Sequence, residues 1–248
     1  MYDGLIKYER IKETLPIQDF KNLSNFIFQN RSEKRKYLIC GSSAKGTRNR
    51  FSDIDVLVVC SRNNPEQIEK IPDFFHSKTQ NVSIFLRTEE YLTSFESELH
   101  YWSKITTAVC DDQTFICGLI RKLARSIKST STERIAVKFE NDLVSFKKQF
   151  CPKNSELATT MWLICHAAPL LTVLTDGYEN IAAKRESIDQ LIKNCVNLEL
   201  RDKMWLDRNN DINVADIRNR PFKQSAALDL AKCVWERLPI NGESGLGI

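Results

Sequence analysis

The sequence predicts an α+β protein: a small mixed-sheet domain over residues 1–130, followed by an α-helical bundle domain over residues 131–248. Short apolar, β-branched segments cluster before residue 90, as buried strands do. The strand signal stops near Leu99, and helical spacing takes over. Pro152, the Asp176–Gly177 pair and Pro221 punctuate that second half.

The elements follow in order. From Ile17 to about Asn30, the residues Phe20, Leu23, Phe26 and Ile27 recur at helical spacing. KYLICGSS reads as a short buried strand ending at Gly41. DIDVLVVC, 53–60, is a second strand, and Asn63, Asn64 and Pro65 break it and open a helix to about His76. NVSIFLRT, 81–88, is a third strand. TEEYLTSF then opens a helix with Thr88 as its cap. Further helices are expected at about 112–128, 133–150, 155–175, 184–196 and 223–237. No internal repeat is visible.

Composition narrows the class. Hydrophobic residues make up 42% of the 248, enough for a core. No apolar run approaches the ~20 residues of a membrane span. The segment MYDGLIKYERIKETLP carries charges throughout and does not read as a secretory signal. A net charge of +4 suits a protein that binds a polyanion such as a triphosphate, yet does not by itself argue for nucleic acid. The eight cysteines are scattered with no CxxC pair, and several sit in apolar runs, so buried free thiols in a reducing, cytoplasmic compartment are expected. His76, His100 and His166 are too isolated to build a zinc site.

The informative segment is GSSAKGTRNRFSDIDVLVV, 41–59. Gly41 ends a strand, Ser42 and Ser43 follow, and Gly46 adds a second flexible point. Such a turn can aim N–H groups and hydroxyls at an anion, with Lys45, Arg48 and Arg50 adding positive charge. Asp53-Ile54-Asp55 then opens an apolar strand. Alternation puts both carboxylates on one side and Ile54 on the other. Two carboxylates together repel, and burying them unpaired costs several kcal/mol. A divalent cation relieves both, and Mg²⁺ takes hard oxygens while sharing its site with substrate phosphates. Asp53 and Asp55 are therefore the candidate metal-binding residues, and Gly41, Ser42 and Ser43 the candidate nucleotide-binding ones.

This segment resembles the signature of the DNA polymerase beta nucleotidyltransferase superfamily: Gly-Ser, a spacer, then Asp-x-Asp inside an apolar strand. Gly41 and Ser42 match the Gly-Ser; Asp53 and Asp55 match the acids. Gly46 and Ser52 fit its bacterial members, so the resemblance implies Asp53 and Asp55 as catalytic residues and Ser52 as a further nucleotide-binding one. The resemblance implies an Mg²⁺-dependent transfer of a nucleoside monophosphate, with ATP the first expectation, and release of pyrophosphate. It also implies a third carboxylate from the next strand. That strand offers only Asn81 and Ser83 on the relevant side, so a substitute is sought in Glu89, Glu90 or Glu140, or catalysis is weak or lost.

The stretch 161–192 resembles the helical domain of bacterial aminoglycoside adenylyltransferases, through Gly177, Ile181 and Lys184. That resemblance implies Lys184, or Arg185 beside it, as a triphosphate ligand and a small, aminoglycoside-like hydroxyl acceptor. Two alternatives stand beside it. One is nucleotidylation of tRNA or a partner protein, with Arg121, Lys122, Arg125, Lys128, Arg134 and Lys138 as a basic track, although such a run is more often a solvated helix face. The other is a nucleotide-binding sensor that does not catalyse. His166 reads as a satisfied core histidine.

Overall fold

Helix α1 (Ile17–Gln29) forms where the sequence places its apolar stripe, and Leu23, Phe26 and Ile27 are buried along it. The computed structural model describes residues 17–29, 33–45, 52–61, 82–110, 112–150, 162 and 166. Strands β1 (Arg35–Cys40), β2 (Ile54–Cys60) and β3 (Val82–Thr88) make one mixed sheet in the order β1-β2-β3. β1 runs antiparallel to β2, with Cys40 opposite Asp55. β2 runs parallel to β3, with Asp55 opposite Ser83. Parallel neighbours need a crossover. The residues that make it, and the helix expected from Pro65 to His76, lie outside the described residues.

The sheet has two unlike faces. Tyr37, Ile39, Ile54, Val56, Val58 and Cys60 pack with Leu23, Phe26 and Ile27 of α1, and Val82, Ile84 and Leu86 join them. Each fully buried Val, Leu or Ile contributes roughly 1.5–3 kcal/mol, so this face carries much of the domain's stability. The opposite face presents Leu38, Leu57 and Val59, then Asp55 at the start of β2. Phe85 on that face meets Tyr101 edge-on, ring centroids 6.2 Å apart.

β1 passes directly into a five-residue helix, α2 (Gly41–Lys45), where the sequence reading expected an anion-binding turn. Thr88 caps α3 (Glu89–Thr93) as expected, accepting the Tyr91 N–H at 3.2 Å. Helix α4 (Leu99–Thr107) was not expected. Leu99, Tyr101, Trp102, Ser103, Ile105, Thr106 and Thr107 are all buried in it. A helix covered nearly all round shows no amphipathic stripe, and its Ser, Thr and aromatic residues are middling helix formers. Its buried hydroxyls are satisfied locally: Thr106 and Thr107 both donate to the Ser103 carbonyl, at 3.0 and 2.8 Å. Val109 then exchanges two 2.9 Å backbone hydrogen bonds with Ile39, which pins the segment after α4 to β1.

Helix α5 (Gln113–Lys128) starts at Asp112, whose carboxylate accepts the Phe115 N–H and pairs with Lys36 at 2.9 Å. The Lys36 hydrogen bond, then the helix amides, hold that carboxyl below its ordinary range. Ile116, Leu119, Ile120, Leu123 and Ile127 form its buried stripe. Helix α6 (Thr132–Phe150) buries Ile135, Phe139 and Leu143, and Phe139 meets the Trp162 ring edge-on. Both lie within a residue or so of the expected bounds. The helices expected at 155–175, 184–196 and 223–237, and with them Lys184, fall outside the described residues apart from Trp162 and His166. The cysteines that can be described are free thiols, with Cys40, Cys60 and Cys110 buried. No helix among the described residues is long and apolar enough to cross a membrane.

Candidate active site

The site grows from the contact between two pieces of the signature segment. Gly41 has φ of 63°, the left-handed region that glycine enters without penalty. A Cβ there would lie 1.9 Å from Asp55 Oδ2. Gly41 is thus required twice over, for its backbone angle and for the close approach of a carboxylate. The turn and the Asp-x-Asp strand are brought together because β1 and β2 pair with Cys40 opposite Asp55.

Ile54 is buried at 2% exposure in the α1 core, while Asp53 and Asp55 stay partly exposed, as strand alternation demands. Asp53 Oδ2 accepts a hydrogen bond from Ser83 Oγ at 2.5 Å. Asp55 Oδ1 pairs with Lys104 Nζ at 3.0 Å, and the two side chains are only 14% and 15% exposed. Lys104 Nζ also lies 4.6 Å from the Phe85 ring centroid. Ser42 is partly buried and Ser43 fully buried within α2; Ser52 is partly buried before β2. Cys40 is no rival nucleophile, since burial pushes its thiol up to about 12.

A cavity of about 570 Å³ opens beside this pair. Gly41, Lys45, Phe85 and Lys104 line it from α2, β3 and α4, while Asp142, Ser145 and Phe146 of α6 and His166 line it too. Asp142 Oδ2 accepts from Trp162 Nε1 at 2.6 Å and lies 3.4 Å from His166 Nδ1, an ionic approach without hydrogen-bond alignment. Burial acts to raise the Asp142 carboxyl, but His166 and Trp162 outweigh it and hold it below its ordinary range. His100 also lines the cavity. Burial, then the positive charge of Lys104, brings its pKa down to about 4.

The donor set suits a hard cation. Asp53 and Asp55 offer carboxylate oxygens from one strand, and no cluster of three or more His, Cys, Asp or Glu forms among the described residues. Mg²⁺ is held in this manner elsewhere, by one or two carboxylates with substrate phosphates completing its shell.

Ser83 stands where a third acid was sought, directly opposite Asp55. Of the proposed substitutes, Glu89 is engaged by Lys122, and Glu90 and Glu140 are exposed. The carboxylates that line the cavity are Asp142 and Glu98. Asp142 was one of many acids in the sequence, with nothing to single it out. Lys104 was missed because α4 was missed. Its one signal was isolation, a lone charge in the run YWSKITTAVC. His166, read as a core histidine, lies at the cavity wall beside Asp142. The basic run is partly neutralised, since Lys122 pairs with Glu89 and Arg134 with Glu96.

The glycine-serine turn lies against the Asp55 carboxylate, beside a cavity that Lys45 and Lys104 help to line. Residues 21–137 match the family model described as a nucleotidyltransferase domain, of the polymerase beta-like superfamily. That span contains β1 to β3, the turn and both acids, and it supports transfer of a nucleotidyl group as the domain's chemistry. No curated protein matches the chain.

Proposed function

We propose that the chain is an Mg²⁺-dependent nucleotidyltransferase that moves a nucleoside monophosphate, AMP in the first instance, from a triphosphate to a hydroxyl of a small acceptor. The observation that carries this reading is the contact of Gly41 with the Asp55 carboxylate, which joins the anion-binding turn to the acid pair. Ser42 and the α2 backbone would hold phosphate oxygens, with Lys45 supplying charge across the cavity and Lys184 as a further ligand. Asp53 and Asp55 would hold the cation, which supplies charge neutralisation at the phosphates and acidifies an acceptor hydroxyl. Ser83 orients Asp53 through its hydrogen bond. The acidic, aromatic wall of the cavity, with Asp142, Glu98 and Phe146, favours a cationic acceptor of aminoglycoside type.

Pyrophosphate release with Mg²⁺ and each ribonucleoside triphosphate, with and without an aminoglycoside panel and bulk tRNA, tests the reading. Acceptor-dependent release that disappears in the Asp53→Ala, Asp55→Ala double variant is the expected result. Failure of any triphosphate to bind would overturn it. A second reading, a nucleotide sensor without turnover, is favoured by one observation: a serine, not an acid, lies opposite Asp55 on β3. It expects triphosphate binding with no pyrophosphate from any acceptor. Release that depends on tRNA would instead place the acceptor among nucleic acids.

A further inference from the structure

We infer that Lys104 is a positioning residue that competes with the divalent cation for Asp55 and so makes cation binding depend on the nucleotide. The inference rests on the reading of Asp53 and Asp55 as cation ligands. One oxygen of Asp55, Oδ1, pairs with Lys104 Nζ at 3.0 Å, while Oδ2 lies where a Cβ at Gly41 would stand. The pair is shielded, at 14% and 15% side-chain exposure, so solvent screens it weakly. The lysine is held in place. Its helix is buried on both sides of it, at Ser103 and Ile105, and its ammonium rests near the Phe85 ring.

An Mg²⁺ ion sits about 2.0–2.1 Å from a ligating oxygen. It would then share Asp55 Oδ1 with an ammonium, and two cations at such separation repel strongly at low dielectric. Lys104 must yield the oxygen, and a buried ammonium without a partner is costly. Lys104 lines the cavity together with Gly41 and Lys45, where triphosphate oxygens offer it a new anionic partner. A bare cation therefore meets a resident positive charge, while a cation arriving with a triphosphate brings that charge a replacement partner. The two ligands are coupled through one side chain.

The test reads cation binding rather than turnover. Free Mn²⁺ is followed by its electron paramagnetic resonance signal in titrations of the full chain, wild type against Lys104→Met, Lys104→Gln and Lys104→Arg. Removing the charge is expected to tighten Mn²⁺ binding about tenfold, within the usual range of coupling between sites, while Lys104→Arg keeps wild-type affinity. With Mn²⁺ and α,β-methylene-ATP the sign reverses, and the uncharged variants bind the nucleotide more weakly. A merely structural role cannot raise cation affinity. Mn²⁺ affinity in the uncharged variants equal to or below wild type overturns the inference and leaves the acid pair standing. No Mn²⁺ binding to any form, with the Asp53→Ala, Asp55→Ala variant indistinguishable, overturns the underlying site and this inference with it. Should the uncharged variants fail to fold, lysine Nζ resonances of the wild type decide: the Lys104 signal moves as Mg²⁺ is added, and an unmoved signal at saturation overturns the inference.

Discussion

The two faces of strand β2 differ by a single step along the chain. Ile54, Val56 and Val58 point into the α1 core and are at most 2% exposed. Asp53 and Asp55, one residue away on either side of Ile54, point to the face where Gly41, Ser83 and Lys104 converge. The period of two lets one strand hold the fold with one set of side chains and the chemistry with the other. The register cannot slip, because a one-residue shift would carry the acids into the apolar α1 core.

Substitutions that separate the faces sharpen this contrast. Ile54→Ala is expected to cost about 2–5 kcal/mol in denaturant unfolding while the folded fraction keeps its cation affinity. Asp53→Ala should do the reverse, abolishing nucleotidyl transfer with a much smaller stability loss. If Ile54→Ala impaired cation binding as severely as Asp53→Ala, the division of labour would not hold.

Gly41→Ala is next in size. A non-glycine residue in the left-handed region costs about 1–3 kcal/mol, and its Cβ also collides with Asp55 Oδ2. Calorimetry should show a lower melting temperature together with lost nucleotide affinity, since Gly41 belongs to both sides of the contrast. Ser83→Ala removes the hydrogen bond to Asp53 at a cost of about 0.5–1.5 kcal/mol. Thermal unfolding should register only that small change, while Mn²⁺ affinity falls as Asp53 loses its orientation.

The smallest effect concerns His100. Its pKa lies near 4 in the folded protein against 6.5 ordinarily, through burial and the charges of Lys104, His166 and Arg87, with Asp142 opposing. The unfolded chain therefore takes up this proton first, and stability falls as pH drops from about 6.5 toward 4. Imidazole resonances should keep His100 neutral to about pH 4, and His100→Gln should flatten the slope in that window. The side chain is 35% exposed, so solvent screening keeps the contribution modest.

How legible each part was follows from the range of the forces involved. β2 and β3 were readable because β-branched apolar runs bounded by polar residues have few other uses. The Thr88 cap was readable because capping is a matter of three or four residues. α4 was hidden because it is enclosed by β1, α3, α5 and α6, and enclosure erases the polar face that marks a helix. Asp142 was unreadable for a related reason. Nothing within α6 distinguishes it from neighbouring acids, and only its approach to Trp162 and His166 does.

The sequence by itself determined the turn, the acid pair and the strand that carries them, because those features are written in contiguous residues whose alternation and backbone freedom follow from local sterics. Only the tertiary structure decided that Gly41 touches Asp55, that Ser83 bonds Asp53, and that Lys104 neutralises Asp55 from a helix almost fifty residues further on. Those contacts depend on which strands pair and in what register. That choice is made by burial summed over the whole sheet, which no short segment records.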